Sequence, residues 1–287
     1  MKKILITGVS GYIGGFFIKN TSFKDYQVHF VYRNANVSSK LLKKFNGHEL
    51  KKDNTIRDIV ELIKPNIIYH FAGLTNSNDD YESCNNLIES NVIFFTDMIS
   101  VAVKNNIKRV VVASTHWQNY TIGNFYTITK KFQEEILEFY SNKYKFKGIS
   151  VRIPDVFGPN DSRKKIWQLI VESIKTNKLI EMTSGNQDVD LLYVKDIIEA
   201  FYLTLDLKSS KFFDRYNLTS NNIKSLRAII KDFEDIYQSE ANIIYGVKPH
   251  RYGEVLKLNI PENMLPNWQP KHDIRSAILD LINTDKK

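Results

Sequence analysis

At 287 residues, 43% hydrophobic and 25% charged, the chain has the make-up of an ordinary globular protein, long enough for one large domain or one plus a smaller lobe. It shows no run of about 18 uncharged apolar residues that would cross a membrane and no apolar leader with a cleavage site, and its single cysteine, Cys84, excludes an intrachain disulfide, so a cytoplasmic protein without a membrane partner is expected. The formal charge is +8, but the positive residues are scattered, with no basic tail and no zinc-finger spacing; this argues against nucleic acid as a partner and for a general attraction toward anionic ligands.

KKILITG at the N-terminus reads as a strand, and residues 14–20 as part of the helix after it. QVHFVYR (27–33) is a second strand. Between residues 54 and 64, apolar positions at Ile56, Ile59, Val60 and Ile63 have helical spacing, and Pro65 ends the segment. NIIYHFAG is a buried strand. Residues 89–105 read as a helix with Val92, Phe95, Met98, Ile99 and Val103 on one side; RVVVAST is a strand, 126–142 a helix, and FKGISVRI a strand. This alternation predicts an α/β fold, a doubly wound parallel sheet of the Rossmann type with helices on both faces. After Arg152 the rhythm changes: a polar loop, a helix over 165–176, a strand running into a helix at LLYVKDIIEAFYLTL, then short mixed elements. The expected division is a dinucleotide-binding domain over 1–153, to which 189–216 returns, and a smaller C-terminal substrate-binding lobe from 154–188 and 217–287. That lobe is expected over the carboxyl ends of the strands, where ligands bind in open α/β sheets.

Gly8, Gly11 and Gly14 stand in G-x-x-G-x-x-G spacing between the first strand and the first helix. A tight turn, a close approach to a pyrophosphate and a helix lying near its strand each favour glycine, and the helix N-terminus faces the phosphates. The end of the second strand reads Tyr32-Arg33-Asn34, without the carboxylate that would bond the ribose 2′-hydroxyl of NAD. A guanidinium suits a 2′-phosphate, so NADPH is the expected cofactor; the blander reading leaves Arg33 solvated or stacked on adenine.

Tyr126 and Lys130 lie four apart, on one face of a helix. An ammonium near a phenol favours the phenolate, so the tyrosine can exchange a proton nearer neutral pH. The preceding strand ends in Ser114 and Thr115, hydroxyls able to orient a reacting oxygen. His116 is a second acid/base beside Thr115, a hydrogen-bond donor to a substrate hydroxyl or a structural histidine at a strand end, and His70 is expected to stay inside as a satisfied core residue. No cluster has metal-ligand spacing, so no metal is expected.

TGVSGYIG, HFAG (70–73), ESNV (89–92), AST (113–115), YTITK and RIPDVFGP (152–159), with SGNQDVDLLYVKDI (184–197) and RYGEV (251–255), resemble the extended short-chain dehydrogenase/reductase family in order and context over nearly the whole chain. Its members are nucleotide-sugar epimerases, dehydratases and reductases on a Rossmann core. The resemblance implies Thr115, Tyr126 and Lys130 as the catalytic group. It implies cofactor contacts at Gly8, Ser10, Gly11, Tyr12, Ile13, Gly14, Leu50, Phe71, Ala72, Gly73, Asn91, Ala113, Pro154 and Val156, with Asn91 also fixing the active-site helix. Thr75, Thr115, His116, Trp117, Asp155, Gln187 and Arg251 are implied toward a nucleotide-sugar substrate. Asp155 stands where the family usually has asparagine, and a carboxylate there would repel phosphate.

A 4,6-dehydratase of this family has Asp-Glu after the threonine, where this chain has His116-Trp117. The short loop WQNYTIGNF and the stretch DVFGPNDSRKKI are similar to CDP-linked dideoxyhexose synthases of the CDP-abequose and CDP-paratose type. Trp117 is then either lobe packing or a wall for the sugar. The implied reaction is NADPH-dependent reduction of the C4 ketone of a nucleotide-linked, CDP-linked, 4-keto-6-deoxysugar. The alternatives are a nucleotide-sugar 4-epimerase and a non-catalytic NADP-binding module. The family also implies a homodimer joined through the helices near 89–105 and 126–142.

Overall fold

The first strand, β1 (Lys2–Thr7), has Ile4, Leu5 and Ile6 wholly removed from water, as a parallel strand covered on both faces requires. In the computed structural model, which describes residues 1–33, 38–76, 78–120, 124–250 and 253–285, it is followed by α1 (Tyr12–Asn20), β2 (Tyr26–Tyr32), α2 (Ser39–Lys44), β3 (Asn46–Glu49), α3 (Ile56–Ile63) and β4 (Ile67–His70). Next come α4 (Tyr81–Ile88), a π-turn (Glu89–Ile93), α5 (Phe94–Lys104), β5 (Arg109–Thr115), a 3₁₀ turn (His116–Asn119), α6 (Phe125–Tyr144) and β6 (Lys147–Ile153). The rest is β7 (Asp155–Phe157), α7 (Ile166–Thr176), β8 (Ile180–Glu181), β9 (Asp188–Val189), β10 (Leu191–Tyr193), α8 (Val194–Leu203), β11 (Phe213–Asn217), β12 (Lys224–Ser225), α9 (Leu226–Tyr237), β13 (Ile243–Ile244) and α10 (Ile274–Asp285).

The chain forms two compact units. The first comprises Met1–Asn119, Gly123–Arg152 and Ile198–Asn217; the second comprises Tyr120–Ile122, Ile153–Ile197 and Leu218–Lys287. In the first, seven strands form the parallel sheet expected of the doubly wound class, in the order β11-β6-β5-β4-β1-β2-β3. The order reverses between β1 and β4, which opens a crevice at the carboxyl ends of those two strands. One face buries Ile59 and Val60 of α3, Phe95, Met98, Ile99 and Ala102 of α5 and Leu137 of α6 against Leu5, Ile68, Val110 and Val112. On the other face, Phe17 of α1 meets Tyr69 at 4.8 Å between ring centroids, and Phe201 of α8 meets Phe71 at 4.7 Å. The Tyr69 hydroxyl donates to Phe201 O over 3.1 Å.

Three local features differ from the sequence reading. The helix read over 89–105 begins earlier, because Asp80 caps it by accepting from Ser83 N over 2.9 Å, and the π-turn interrupts it. By length and composition Tyr81–Lys104 would reach across a membrane, a test a core helix passes equally; here it buries Leu87, Asn91, Phe95, Met98 and Ile99. The short α2 and β3 were not expected, since NGHE has neither alternation nor β-branched residues.

In the second unit, β10 pairs with β7 and β13 with β8 in parallel, and β12 pairs with β9 antiparallel. Phe157 packs on Tyr193 and Phe233 at 5.4 and 6.3 Å. The buried Asp196 carboxylate accepts from His272 N over 3.1 Å and pairs with His272 Nδ1 at 2.8 Å.

Candidate active site

The turn between β1 and α1 leaves no room for a side chain at positions 8 and 14. Gly8 sits at φ +76°, and a Cβ there would lie 2.4 Å from Ala72 N. A Cβ on Gly14 would lie 2.4 Å from Gly8 O and 3.0 Å from Phe71 Cβ. Gly11 N donates to Gly8 O over 3.0 Å and closes the turn, with Ser10 exposed at its tip. A fourth glycine, Gly15, belongs to the same packing: its Cβ would meet Val9 O at 2.8 Å.

Gly11 is also the N-cap of α1 and supplies no side-chain cap, and the first turn, which includes Tyr12, Ile13 and Gly14, holds no acid. By contrast α3, α4 and α6 are capped by Thr55, Asp80 and Asn124. The first N–H groups of α1 and the positive end of its dipole therefore fit an anion such as a pyrophosphate.

Beyond β4 the chain runs through Phe71, Ala72, Gly73, Leu74 and Thr75, the last three exposed. Asn91, wholly buried in the π-turn, holds this segment twice: Leu74 N donates to its Oδ1 over 2.8 Å, and its Nδ2 donates to Leu74 O over 3.0 Å. The same Nδ2 donates to Thr129 Oγ1 of α6 over 3.0 Å. Asn91 thus ties the segment after β4 to the helix that carries Tyr126 and Lys130.

The Asn124 side chain accepts from Thr127 N over 3.0 Å and so starts α6 just before Tyr126, which is half-buried. Lys130, one turn on, is 4% exposed. Its Nζ donates to Gln133 Oε1 over 2.5 Å and lies 3.9 Å from where a Cβ on Gly73 would stand, which puts the ammonium beside the segment after β4. Burial pulls the Lys130 ammonium down to about 7, against the opposing pull of the Glu134 carboxylate.

Thr115 is buried at the end of β5, and its Oγ1 accepts from Trp117 N over 3.4 Å. His116 is buried edge-on to the Trp117 indole, 4.5 Å between centroids. Ala113 is half-buried on the same strand. At the end of β2, Leu50 N donates to Tyr32 O over 2.8 Å, which places Leu50 beside the strand end. Arg33 is exposed, its guanidinium 5.7 Å from the Phe94 ring centroid; Asn34 lies outside the described residues.

The first unit thus carries the glycine turn, Phe71 to Thr75, Asn91, Arg33, Leu50, Ala113 and the Thr115–Tyr126–Lys130 group with His116 and Trp117. Four further sequence-predicted residues lie in the second. Pro154 and Val156 are buried there. Asp155, on β7 opposite Leu191, has its carboxyl pushed up to about 6 by removal from water; Lys165 and Arg163 draw it back and Asp190 adds to the rise. Gln187 is turned onto its own loop, its Nε2 donating to Thr183 Oγ1 over 3.2 Å. Arg251 lies outside the described residues.

Two buried networks had no simple motif to announce them. Glu134, 1% exposed on α6, accepts from Arg152 NH2 and Nε over 2.6 and 3.1 Å, from Ser150 Oγ over 2.6 Å, and from Arg215 Nε. Arg152 reaches onward to Asn119 and to Gln118 Oε1, the latter at 3.4 Å, and Gln118 donates to Ser114 Oγ. The second network runs from Lys130 to Gln133, whose Nε2 lies 3.1 Å from His70 Nε2 and donates to Asn91 O over 3.0 Å. His70 Nδ1 lies 2.8 Å from Thr7 Oγ1, so His70 is satisfied at both nitrogens, as expected of a core histidine. Burial, with Lys130 nearby, holds its pKa well below the usual histidine value, so it is neutral.

A buried lysine one turn beyond a tyrosine, a hydroxyl at the end of a central strand and a glycine turn open to an anion make up a constellation for proton transfer beside a bound dinucleotide. Known proteins share its frame. The chain is 25% identical over 264 residues to a CDP-abequose synthase of Yersinia pseudotuberculosis, covering 88% of this chain and 90% of that protein. It is 22% identical over 315 residues to a dTDP-4-dehydro-6-deoxyglucose reductase of Escherichia coli, covering 98% and 96%. Among solved structures it is similar in fold to the UDP-glucuronic acid 4-epimerase of Bacillus cereus in complex with UDP-glucuronic acid and NAD, with a TM-score of 0.85, 16% identity and 99% of both chains covered. Residues 4–218, which include the whole seven-stranded sheet except Lys2 and Lys3 together with the glycine turn and the Tyr126–Lys130 helix, match one family description throughout, and the chain belongs to the NAD dependent epimerase/dehydratase family.

Proposed function

We propose that the protein is an NADPH-dependent 4-ketoreductase acting on a CDP-linked 4-keto-6-deoxysugar, in the assembly of deoxysugars for surface polysaccharide. The observation that carries the choice of reductase is Arg33. It ends β2 without a carboxylate beside it and lies over Phe94, where its planar fork suits a 2′-phosphate and a diffusing phosphorylated cofactor. The uncapped α1 and the glycine turn fit the pyrophosphate of such a cofactor. Similarity to the CDP-abequose synthase over most of both chains supports the sugar class, and His116-Trp117 in place of a carboxylate pair argues against a dehydratase.

When bound, the reduced nicotinamide supplies a hydride to the C4 carbonyl carbon. The Tyr126 hydroxyl gives its proton to the C4 oxygen as negative charge develops there, and is reprotonated from solvent. The Thr115 hydroxyl donates a hydrogen bond to the same oxygen. The Lys130 ammonium lowers the cost of the tyrosinate and holds the ribose. By the family resemblance Pro154 and Val156 would contact the nicotinamide, and Gln187 would have to leave Thr183 Oγ1 to reach the nucleotide of the substrate. In this reading the 1–153 region with its returning segment binds the dinucleotide and the C-terminal segments bind the sugar nucleotide. Ile128, Phe132 and Phe139 form an exposed apolar stripe along α6, and Ile93 is exposed in the π-turn, so a homodimer joined through these helices is part of the proposal.

The second reading, a 4-epimerase that retains its cofactor, draws on the epimerases that share the fold. One assay separates the readings. Mixed with NADPH and CDP-4-keto-6-deoxyglucose, a reductase consumes one NADPH per sugar reduced. An epimerase interconverts UDP-glucose and UDP-galactose with no net NADPH loss, and a binding module takes up NADPH without turnover of any sugar. Tyr126→Phe retains NADPH binding and loses most turnover; substantial remaining activity would place the proton donor elsewhere. Arg33→Ala narrows the preference for NADPH over NADH, and an unchanged preference would refute the cofactor assignment.

A further inference from the structure

We propose that Gln133 sets the position and the charge of Lys130, acting with His70 and Thr7 as a buried neutral clamp behind the active site. Every donor in the chain of bonds is fixed by its neighbour. The ammonium can only donate, so Gln133 must present its carbonyl oxygen to it. The Gln133 amide nitrogen then faces the two acceptors opposite, Asn91 O and His70 Nε2. Flipping the amide would set NH₂ against NH₃⁺ and oxygen against oxygen. With Nε2 accepting, the His70 proton sits on Nδ1 and is donated to Thr7 Oγ1. Lys130, Gln133, His70, Asn91 and Thr7 are all buried, so water does not substitute for any of these partners.

The clamp aims the ammonium without neutralising it. The groups that face Lys130 are Glu134 on its own helix, His70 on β4 and the Gly73 segment, and Tyr126 stands one turn before it on that helix. Among the described residues Lys130 makes no ion pair within 4.0 Å, and Glu134 is taken by Arg152 on β6 and Arg215 on β11. A carboxylate at 133 would pair with Lys130 and cancel the field it exerts on Tyr126. A neutral amide leaves that field intact while tying the side chain to β4 and the π-turn. Gln133 is therefore a positioning residue; the inference rests on the proposed reading in taking Lys130 as the partner of Tyr126.

The test compares Gln133→Glu with Gln133→Met, which is close in size and carries no acceptor of comparable strength. The lysine ε-carbons are labelled with ¹³C, and the Lys130 resonance is assigned by its loss in Lys130→Arg. Its titration is followed in the protein alone, so the result stands whatever sugar is reduced. The clamp predicts midpoints shifted in opposite directions by about one pH unit or more, upward for Gln133→Glu and downward for Gln133→Met. With NADPH and a 4-keto nucleotide sugar, it predicts about tenfold slower turnover in Gln133→Glu at neutral pH, with the KM for NADPH little changed. Folded variants whose Lys130 midpoints match the parent, or shift in the same direction, would overturn the clamp. Opposite shifts with no turnover in the parent would leave the clamp standing and remove the reductase reading.

Discussion

Replacing Glu134 with glutamine keeps the shape of the side chain and removes the charge at the centre of the first buried network. The carboxylate accepts four hydrogen bonds, two from the Arg152 guanidinium, one from Ser150 and one from Arg215. An amide has one oxygen, so its NH₂ would face donors it cannot satisfy, and Arg152 would keep a charge with only an 11% exposed side chain. Breaking a buried ion pair in this way costs about 3–5 kcal/mol. At about 3 °C per kcal/mol for a chain of this size, the melting temperature should fall by roughly 10 °C. Arg152 and Ser150 hold the Glu134 carboxyl below its usual value despite burial. Its contribution is therefore present above the ordinary carboxylate range and is lost as pH falls through it, so the gap between parent and variant narrows in acid. Thermal unfolding followed by circular dichroism, with Glu134→Gln, Arg152→Met and the double variant, completes the cycle. A loss below about 2 °C, or strictly additive losses, would refute the reasoning.

Gly14→Ala would drive a Cβ to 2.4 Å from Gly8 O, so the turn must open; dinucleotide binding, read by fluorescence titration, should weaken at least tenfold while the far-ultraviolet spectrum is retained. Lys130 titrates near 7 in the folded chain against about 10.5 unfolded, so the folded state holds fewer protons between these values and stability rises with pH across that window. Lys130→Met should accordingly melt several degrees above the parent at pH 7, with the difference shrinking toward pH 10 as both are scanned. Phe132→Asp places a charge on the exposed stripe of α6 and should convert a dimer to a monomer in analytical ultracentrifugation; a dimer that persists would move the interface elsewhere.

The alternating strands and helices of the first unit were legible because each buries an unbroken apolar run or a helical stripe, as in IRDIVELI and RVVVAST. The glycine turn was legible through its position between a strand and a helix, although Gly15 was not, since its constraint is a contact with Val9 O rather than a motif. Tyr126 and Lys130 declare themselves by helical spacing. Gln133, His70 and Thr7 do not, because they lie 63 residues or more from at least one partner in sequence and meet only when β1, β4 and α6 are assembled. Lys130 with Gln133 is the one short-range link, and an i, i+3 pair on a polar helix carries no signal by itself. Arg152 and Glu134 are opaque for the same reason: their pairing depends on β6 lying beneath α6.

The π-turn at Glu89–Ile93 behaves as an inserted residue that the fold has kept. Ser83, Leu87, Asn91, Phe95 and Ile99 follow one another at intervals of four along the buried side. A regular helix would turn such a row by about 40° at each step, so over sixteen residues it would wind about 160°, nearly onto the opposite face. The extra residue of the wider turn takes back about 100° of that drift, which lets α4 and α5 share one buried edge with an asparagine at its midpoint. Deleting one residue between 89 and 93 would heal the helix and swing the segments on its two sides about 100° out of register. The bulge thus acts as a phase corrector, and its loss could be tolerated by either half of the helix alone but not by both at once.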